Sequence, residues 1–222
     1  MSVIHHTTLK PTKLELLTSW LPTRPWYRGG AEPELARVGG FRLDDPEGEV
    51  GIELMVVADT SGAEPVHYLV PLTYRGAPLD GAEQGLVGTM EHGVLGPRWV
   101  YDGAHDPVLL AQLLALLEGR VEPQMQSVSD TVDHEVRHSY TGTGPIALDP
   151  AATTATDDHD GTELRTAEGG PALRLSRVLQ AAANGEPTLP EGAIGQVTGH
   201  WRPSEDTLAR GLFAVLHAAP KA

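Results

Sequence analysis

Two histidines and a glutamate in the segment HEVRH, residues 134–138, have the spacing of a zinc-binding motif. On a helix, His134 and His138 would present their imidazoles on one face, with Glu135 as the general base for a zinc-bound water. The flanking residues are polar and turn-rich, and the alternation over residues 127–140 is more typical of a strand. We therefore expect a solvated polar segment, and we keep a zinc hydrolase using these three residues as an alternative function.

A second group of polar side chains stands where a sheet is predicted to lead into a helix: Glu91, His92, Arg98, His105 and Asp106. Such groups could line the pocket of an enzyme and perform acid–base chemistry. The alternative interpretation is that they are loop residues, with Asp106 capping the helix. The sequence contains no phosphate-binding P-loop, nucleophile elbow or dinucleotide-binding glycine motif. We therefore assign no catalytic residue and expect no cofactor and no metal ion.

The composition limits the classes of partner. The 222 residues carry a formal net charge of −14, which repels nucleic-acid phosphates. No apolar run approaches 18 residues, so no membrane partner is expected, and the start of the chain does not have the apolar stretch of a secretory signal. The chain has no cysteine, which excludes disulfides and thiolate zinc sites. The adjacent His5 and His6 would point to opposite sides of an extended chain. A cytoplasmic protein is the resulting expectation.

Two helices are predicted, with a run of antiparallel hairpins between them. The first helix covers residues 12–21, with Thr12 and Glu15 forming a capping box and Pro22 ending it. The second follows Asp106 and ends before Gly119. Alternating apolar residues between them predict strands.

Within those hairpins Pro71 indicates an edge strand or a bulge. Residues 151–163 are predicted to be a polar loop. Residues 171–183 and 204–218 fit either a strand or a helix. The change in character near residue 120 predicts two domains, 1–119 and 120–222.

Three aromatic residues close to the first helix, Trp20, Trp26 and Tyr27, lie between prolines and glycines. They form either a hydrophobic plug over the open end of the sheet or a surface that binds a partner. The single apolar stripe of the helix and the turn imposed by Pro22 favour the plug.

The same segment resembles the start of the N-terminal cap domain of actinobacterial maltokinases. In that family a short helix runs into a WLP…RWF pattern and a glycine-rich turn, and Trp20, Leu21, Pro22, Trp26 and Tyr27 match in type and order. The sequence differs at Pro25 and in the YRGG segment. The resemblance implies an α+β fold in which a helix packs on a curved antiparallel sheet, similar to cystatins.

Residues after 120 resemble the family's intermediate region, the N-lobe of a kinase-like fold. Arg174, in the segment ALRLSRVL, stands where the family has a phosphate-anchoring lysine. The catalytic half of a kinase has no counterpart in the sequence. Because phosphoryl transfer needs positioned magnesium and an aspartate base, kinase activity is not implied for this chain.

The resemblance therefore implies a non-catalytic, cap-like protein that binds or modulates a protein partner in trehalose, maltose or glycogen metabolism. The alternative function is an enzyme of carbohydrate metabolism that uses the polar group at the sheet-to-helix junction. A homodimer is a further possibility. The candidate surface residues are Trp20, Trp26, Tyr27, Glu91, His92, Arg98, His105 and Arg174.

Overall fold

The computed structural model describes residues 9–128, 130–167 and 169–219. In this part of the chain an antiparallel sheet of thirteen strands is combined with two short α-helices, which makes the fold α+β. None of the helices described is long and apolar enough to cross a membrane. The helices are α1 (Lys13–Trp20) and α2 (Pro107–Leu117). The strands are β1 (Leu9–Lys10), β2 (Leu35–Leu43), β3 (Gly51–Asp59), β4 (Val66–Arg75), β5 (Leu86–His92), β6 (Gly96–Asp102), β7 (Gln124–Met125), β8 (Arg137–Tyr140), β9 (Thr153–Asp157), β10 (Gly161–Thr166), β11 (Ala172–Ser176), β12 (Ala193–Ser204) and β13 (Thr207–His217).

The first helix begins with the predicted capping box. Thr12 Oγ1 accepts a hydrogen bond from the Glu15 amide at 3.2 Å, and Glu15 Oε2 accepts one from the Thr12 amide at 2.7 Å. These two bonds satisfy amide donors that have no partner inside the helix. The helix ends at Trp20, and the chain continues as a 3₁₀ turn that contains Pro22. The sequence prediction for α1 is confirmed.

The second helix begins and ends at the predicted residues. Asp106 Oδ1 accepts a hydrogen bond from the Val108 amide at 2.9 Å. At the other end Gly119 has a φ angle of +70°, a conformation that favours glycine. The Gly119 and Arg120 amides donate to the carbonyls of Leu116 and Ala115, which is the Schellman pattern.

The strand order of the sheet is β1-β5-β6-β4-β3-β2-β12-β13-β11-β10-β9, with β7 added to β2 and β8 added to β12. Alternate residues of the central strands enter two different cores. In β4, Tyr68 and Val70 belong to the core that includes α1, whereas Leu69 belongs to the core that includes α2. The sheet is therefore covered by one helix on each face.

The sheet also curls until its two halves meet. After β11 the chain reaches β4, where Val178 forms a bridge with Tyr68. The Leu69 amide donates to Arg177 O at 2.9 Å, and the Leu179 amide donates to His67 O at 2.8 Å. Paired backbones thus form a closed ring through β4, β3, β2, β12, β13 and β11. The apolar core around α2 takes side chains from both sides of residue 120.

The prediction that Pro71 marks an edge strand or a bulge is wrong. The strand β4 lies between β3 and β6, and Pro71 pairs with Leu54 without a shift in register. Proline is tolerated because its nitrogen points to the same side as the Leu69 amide. On that side β4 pairs first with residues 177–179 and then with β6, and the pairing with β6 begins at Leu72 of β4. No N–H is therefore needed at Pro71.

Three further segments are settled by the structure. Residues 171–183 contain β11, and residues 204–218 contain β13, so the strand alternative holds for both. The turn of the β12–β13 hairpin is at Glu205 and Asp206. The polar loop predicted over residues 151–163 is wrong, because Thr153–Asp157 is the strand β9, which pairs with β10. Threonines favour strands, and the polar pattern was typical of an exposed strand as well as of a loop.

Candidate functional site

Both tryptophans of the opening segment are buried. Trp26 is 0% and Trp20 is 6% exposed. The ring centroid of Trp26 lies 5.8 Å from that of Trp20 and 5.8 Å from that of Tyr68 on β4. The plug interpretation is therefore confirmed for both side chains. The alternative, in which Trp20 and Trp26 form part of an exposed partner surface, is wrong because the sheet, α1 and the 3₁₀ turn cover them.

Tyr27 is half-buried and fastens the glycine-rich turn to the sheet. Its ring stacks on Tyr68 at a centroid distance of 5.7 Å, and its hydroxyl lies 2.7 Å from Asp59 Oδ2 and 2.8 Å from Gly30 O. Burial, and then the bond to the Asp59 carboxylate, raises the pKa of Tyr27 to about 12. The hydroxyl is thus held as a neutral donor.

The plug packs against a buried ion pair. Arg177 donates two hydrogen bonds from Nη2 to the carboxylate of Asp102, at 2.6 and 2.8 Å, and both side chains are at most 1% exposed. Arg177 Nε also donates to Thr162 Oγ1 at 2.7 Å. The guanidinium carbon lies 5.1 Å from the ring centroid of Trp26. We call Arg177, Asp102, Thr162 and Trp26 the Arg177 cluster. It joins β6 and the plug to β10 and the residues after β11.

A second connection lies beside this cluster. Arg28, just after the plug, forms an ion pair with Asp160 in the β9–β10 turn and donates to His159 O at 3.3 Å. The backbone of the same turn holds Arg177, because the Arg177 amide donates to Asp160 O at 2.9 Å. Both halves of the chain therefore meet at the plug through charged side chains and backbone bonds.

Glu53 is another buried charge, on the face of the sheet covered by α1. Its carboxylate accepts hydrogen bonds from Lys13 Nζ at 2.5 Å, Tyr74 OH at 2.6 Å and Gln126 Nε2 at 2.7 Å. Burial raises the pKa of Glu53, but the Lys13 ammonium and the three donors lower it more, so the pKa lies below its ordinary value. This cluster ties α1 and residue 126 to the sheet and has the composition of a structural ion pair.

Three of the predicted surface residues lie at the end of the β5–β6 hairpin. Glu91 and His92 end β5, and Arg98 lies in β6. His92 Nδ1 accepts hydrogen bonds from the amides of Val94 and Leu95 at 3.3 and 3.1 Å, which fixes the turn. We call residues 91–98 the hairpin tip.

The other two residues of the predicted pocket lie at the opposite end of β6. This strand has seven residues, so it separates His105 and Asp106 from Glu91 and His92, at its other end, by about 20 Å. Asp106 accepts two hydrogen bonds from Arg75, both at 2.7 Å, and also caps α2. Burial lowers the pKa of His105. The length of β6 therefore holds Glu91 and His92 away from His105 and Asp106.

The zinc alternative is not supported by the local structure. His134 and Glu135 lie in a turn, and His138 lies in β8, so the helix that would bring the two imidazoles together is not formed. The Glu135 carboxylate is bound by Arg210. Across residues 9–128, 130–167 and 169–219, no three potential ligand side chains are grouped to hold a metal ion. His5 and His6 lie outside the described residues.

Arg174 lies on β11, opposite Glu163 of β10. Its guanidinium donates two hydrogen bonds to the carboxylate of Asp158, at 2.6 and 2.8 Å. These bonds hold the pKa of Asp158 well below its usual range. The residue for which the resemblance implies a phosphate-anchoring position is therefore engaged by a carboxylate.

Sequence reasoning missed the Arg177 cluster. A signal is present in the segment ALRLSRVL, where Arg177 interrupts an apolar run at a position that the strand pattern makes internal. Buried arginine needs a partner, but nothing in the sequence points to Asp102, which is 75 residues away. Asp59, which accepts a hydrogen bond from the Tyr27 hydroxyl, was also missed, because it is distant from Tyr27 in the sequence.

Comparison with known families bears on the part of the chain that holds the plug. Residues 20–106 match the family model of the maltokinase N-terminal cap domain. The chain contains a maltokinase N-terminal cap-like domain. The matched region of this domain begins at Trp20 and ends at Asp106, so it includes the plug and strands β2 to β6 but neither α2 nor the later strands. A search of curated proteins found no match to the chain. The cap-like domain suggests a link to maltose and trehalose metabolism.

Proposed function

We propose that the chain is a non-catalytic, cap-like protein that binds or modulates a protein partner in maltose, trehalose or glycogen metabolism. It transfers no phosphoryl group itself. The match to the cap domain supports the metabolic link, since that domain belongs to maltokinases. The proposal extends to the finer fold: a cystatin-like helix on a curved sheet over residues 1–119, and a region similar to a kinase N-lobe over residues 120–222.

The observation that carries the proposal is that the arginines of β11 and of the residues after it are bound by carboxylates of the chain. Arg174, at the phosphate-anchoring position, is bound by Asp158. Three residues later Arg177 is buried against Asp102, and Leu179 then bonds to β4 through the backbone. A nucleotide phosphate needs a cation that is free to bind it. This segment instead directs both cations to carboxylates of the chain, and so holds the cap-like domain in place.

The hairpin tip is the surface that we propose for the partner. Val94 is 61% and Leu95 is 44% exposed, and they lie together in a turn whose shape is fixed by His92. Glu91 and Arg98 add one charge of each sign beside them. Exposed large apolar side chains bordered by polar residues are typical of protein-binding surfaces.

Turnover of ATP tests the catalytic half of the proposal. The purified chain is incubated with Mg·ATP and maltose, glucose or glucosamine, and phosphorylated product is measured. We expect no product above a protein-free blank. Clear turnover by the isolated chain would overturn the non-catalytic function.

Capture from the native cell tests the binding half. We expect the wild-type chain to retain a protein of carbohydrate metabolism, and Leu95→Asp at the hairpin tip to lose it. Leu208→Asp is the matched control, because Leu208 is 42% exposed on a different hairpin. Equal capture by both variants would remove the hairpin tip as the contact surface. If only further copies of the chain are captured, the proposal of a different protein partner is wrong, and the chain forms a homodimer instead.

A further inference from the structure

A cavity of about 450 Å³ opens in the wall of the curled sheet, outside the region that matches the cap domain. The strands β11 and β13 are paired as far as Leu175 and Ala214. After β11 the chain leaves β13 to pair with β4, and it returns to β13 at residues 180–182. There the Gln180 carbonyl lies against Gly211, and the Ala182 amide donates to Arg210 O at 2.8 Å. The cavity lies between these two regions of contact with β13. Its volume lies within the range of small-molecule sites.

The loop that walls the cavity is held in a defined position. It connects β11 to β12 and includes residues 180–188. The Ala182 bond fixes one end of the loop. At the other end Glu186 lies 3.2 Å from Arg137 and 3.9 Å from Arg210. Long ordered loops of this kind are commonly functional, and here the contacts of Ala182 and Glu186 hold the loop in place.

The side chains that line the cavity are uncharged, with the exception of Glu186. Four lining residues carry hydroxyl or carboxamide groups: Ser176, Gln180, Asn184 and Thr188. Val178 and Leu212 supply apolar surface between them. Glu186 is the one lining residue with an ionisable side chain, and its carboxylate is close to Arg137 and Arg210.

This lining selects against charged ligands. Phosphates and carboxylates bind where arginine, lysine or converging amides supply positive charge, and the lining residues include none of these cations. A cation would meet only Glu186, which already has arginine partners. Hydroxyl and carboxamide groups both donate and accept hydrogen bonds, so they match a ligand that does the same. Burying an uncharged ligand also avoids the cost of desolvating a charge.

We propose that this cavity binds a neutral, polyhydroxylated small molecule. Its hydroxyls exchange hydrogen bonds with Ser176, Gln180, Asn184 and Thr188, and its carbon skeleton packs on Val178 and Leu212. The site is separate from the hairpin tip, and the inference does not depend on the proposed function.

Saturation-transfer NMR and calorimetry with four probes test the proposal. Maltose and myo-inositol are the neutral probes, glucose 1-phosphate is the anionic probe, and glucosamine is the cationic probe. We expect saturable binding of at least one neutral probe at millimolar concentration, tighter than either charged probe. Failure of both neutral probes to bind, or tighter binding of a charged probe, would overturn the proposal.

Variants locate the binding site. Asn184→Leu combined with Thr188→Val removes hydrogen-bonding groups from exposed positions, and we expect at least tenfold weaker binding of the neutral probe. Thr156→Val is the matched control, since Thr156 is exposed on β9 and does not line the cavity. Binding unchanged in the double variant would overturn the assignment. A thermal melt of each variant checks that it is folded. The turnover assay is independent, so failure of one proposal is distinguishable from failure of the other.

Discussion

Replacing Arg177 by methionine should remove a large part of the stability of the protein. The substitution leaves the carboxylate of Asp102 buried at about 1% exposure with no cation beside it. Breaking a buried ion pair on one side costs about 3–5 kcal/mol. Since a domain is stable by only about 5–15 kcal/mol, the variant should unfold at much lower denaturant concentration.

A matched control exists on the same segment of the chain. Arg174 also makes two hydrogen bonds to one aspartate, but the side chains of that pair are 31% and 50% exposed. Exposed pairs contribute about 0.2–1 kcal/mol, so Arg174→Met should cost less than about 1 kcal/mol. Because each arginine makes two hydrogen bonds to one aspartate, the comparison shows how much of the loss in free energy of unfolding is due to burial.

Urea unfolding at pH 7, followed by tryptophan fluorescence, measures both variants. A third protein, Asp102→Leu with Arg177→Met, should be more stable than Arg177→Met alone, because it removes the uncompensated charge. The reasoning would be refuted if Arg177→Met and Arg174→Met lost the same free energy of unfolding, or if the double variant were the least stable of the three.

Three further predictions concern the plug and the helix ends. Trp26→Ala should lower the free energy of unfolding by about 3–5 kcal/mol, because it empties a fully buried site; a loss under 1 kcal/mol in urea would contradict the plug. Tyr27 should titrate at about pH 12 in absorbance at 295 nm, and Asp59→Asn should bring its pKa closer to 10.0. Because the pKa of Tyr27 is raised on folding, its contribution to stability is fully present below pH 10 and is lost as the pH rises from about 10 to about 12. An unchanged titration in Asp59→Asn would count against the hydrogen bond. Gly119→Ala should cost about 1 kcal/mol in thermal unfolding, since its φ is +70°; no loss would mean that the backbone relaxes there.

The parts of the fold that follow from local chemistry could be predicted from the sequence. Thr12 with Glu15, and Asp106 with Gly119, set the ends of the two helices through bonds that span a few residues. The β-branched apolar run of β3 and the alternation in β4 predict the hairpins between them. Pro71 misled because proline is excluded only where its nitrogen faces a partner strand, and the sequence does not show that pairing on this side of β4 is interrupted.

The parts that depend on distant contacts could not be predicted. Residues 171–183 are apolar enough for a helix or a strand, and pairing with β10 and β13 decides between them. The pair between Arg177 and Asp102 forms only when the sheet closes. Glu91 and His105 are 14 residues apart in the sequence, and this proximity suggested one pocket. In the structure the length of β6 separates them.

The most direct test of the central claim, that β11 and the residues after it hold the cap-like domain rather than a nucleotide, is a calorimetric titration of the purified chain with Mg·ATP. We predict no saturable heat at millimolar nucleotide, because the Arg174 guanidinium is occupied by Asp158. Saturable binding of Mg·ATP that disappears in Arg174→Ala would contradict the account.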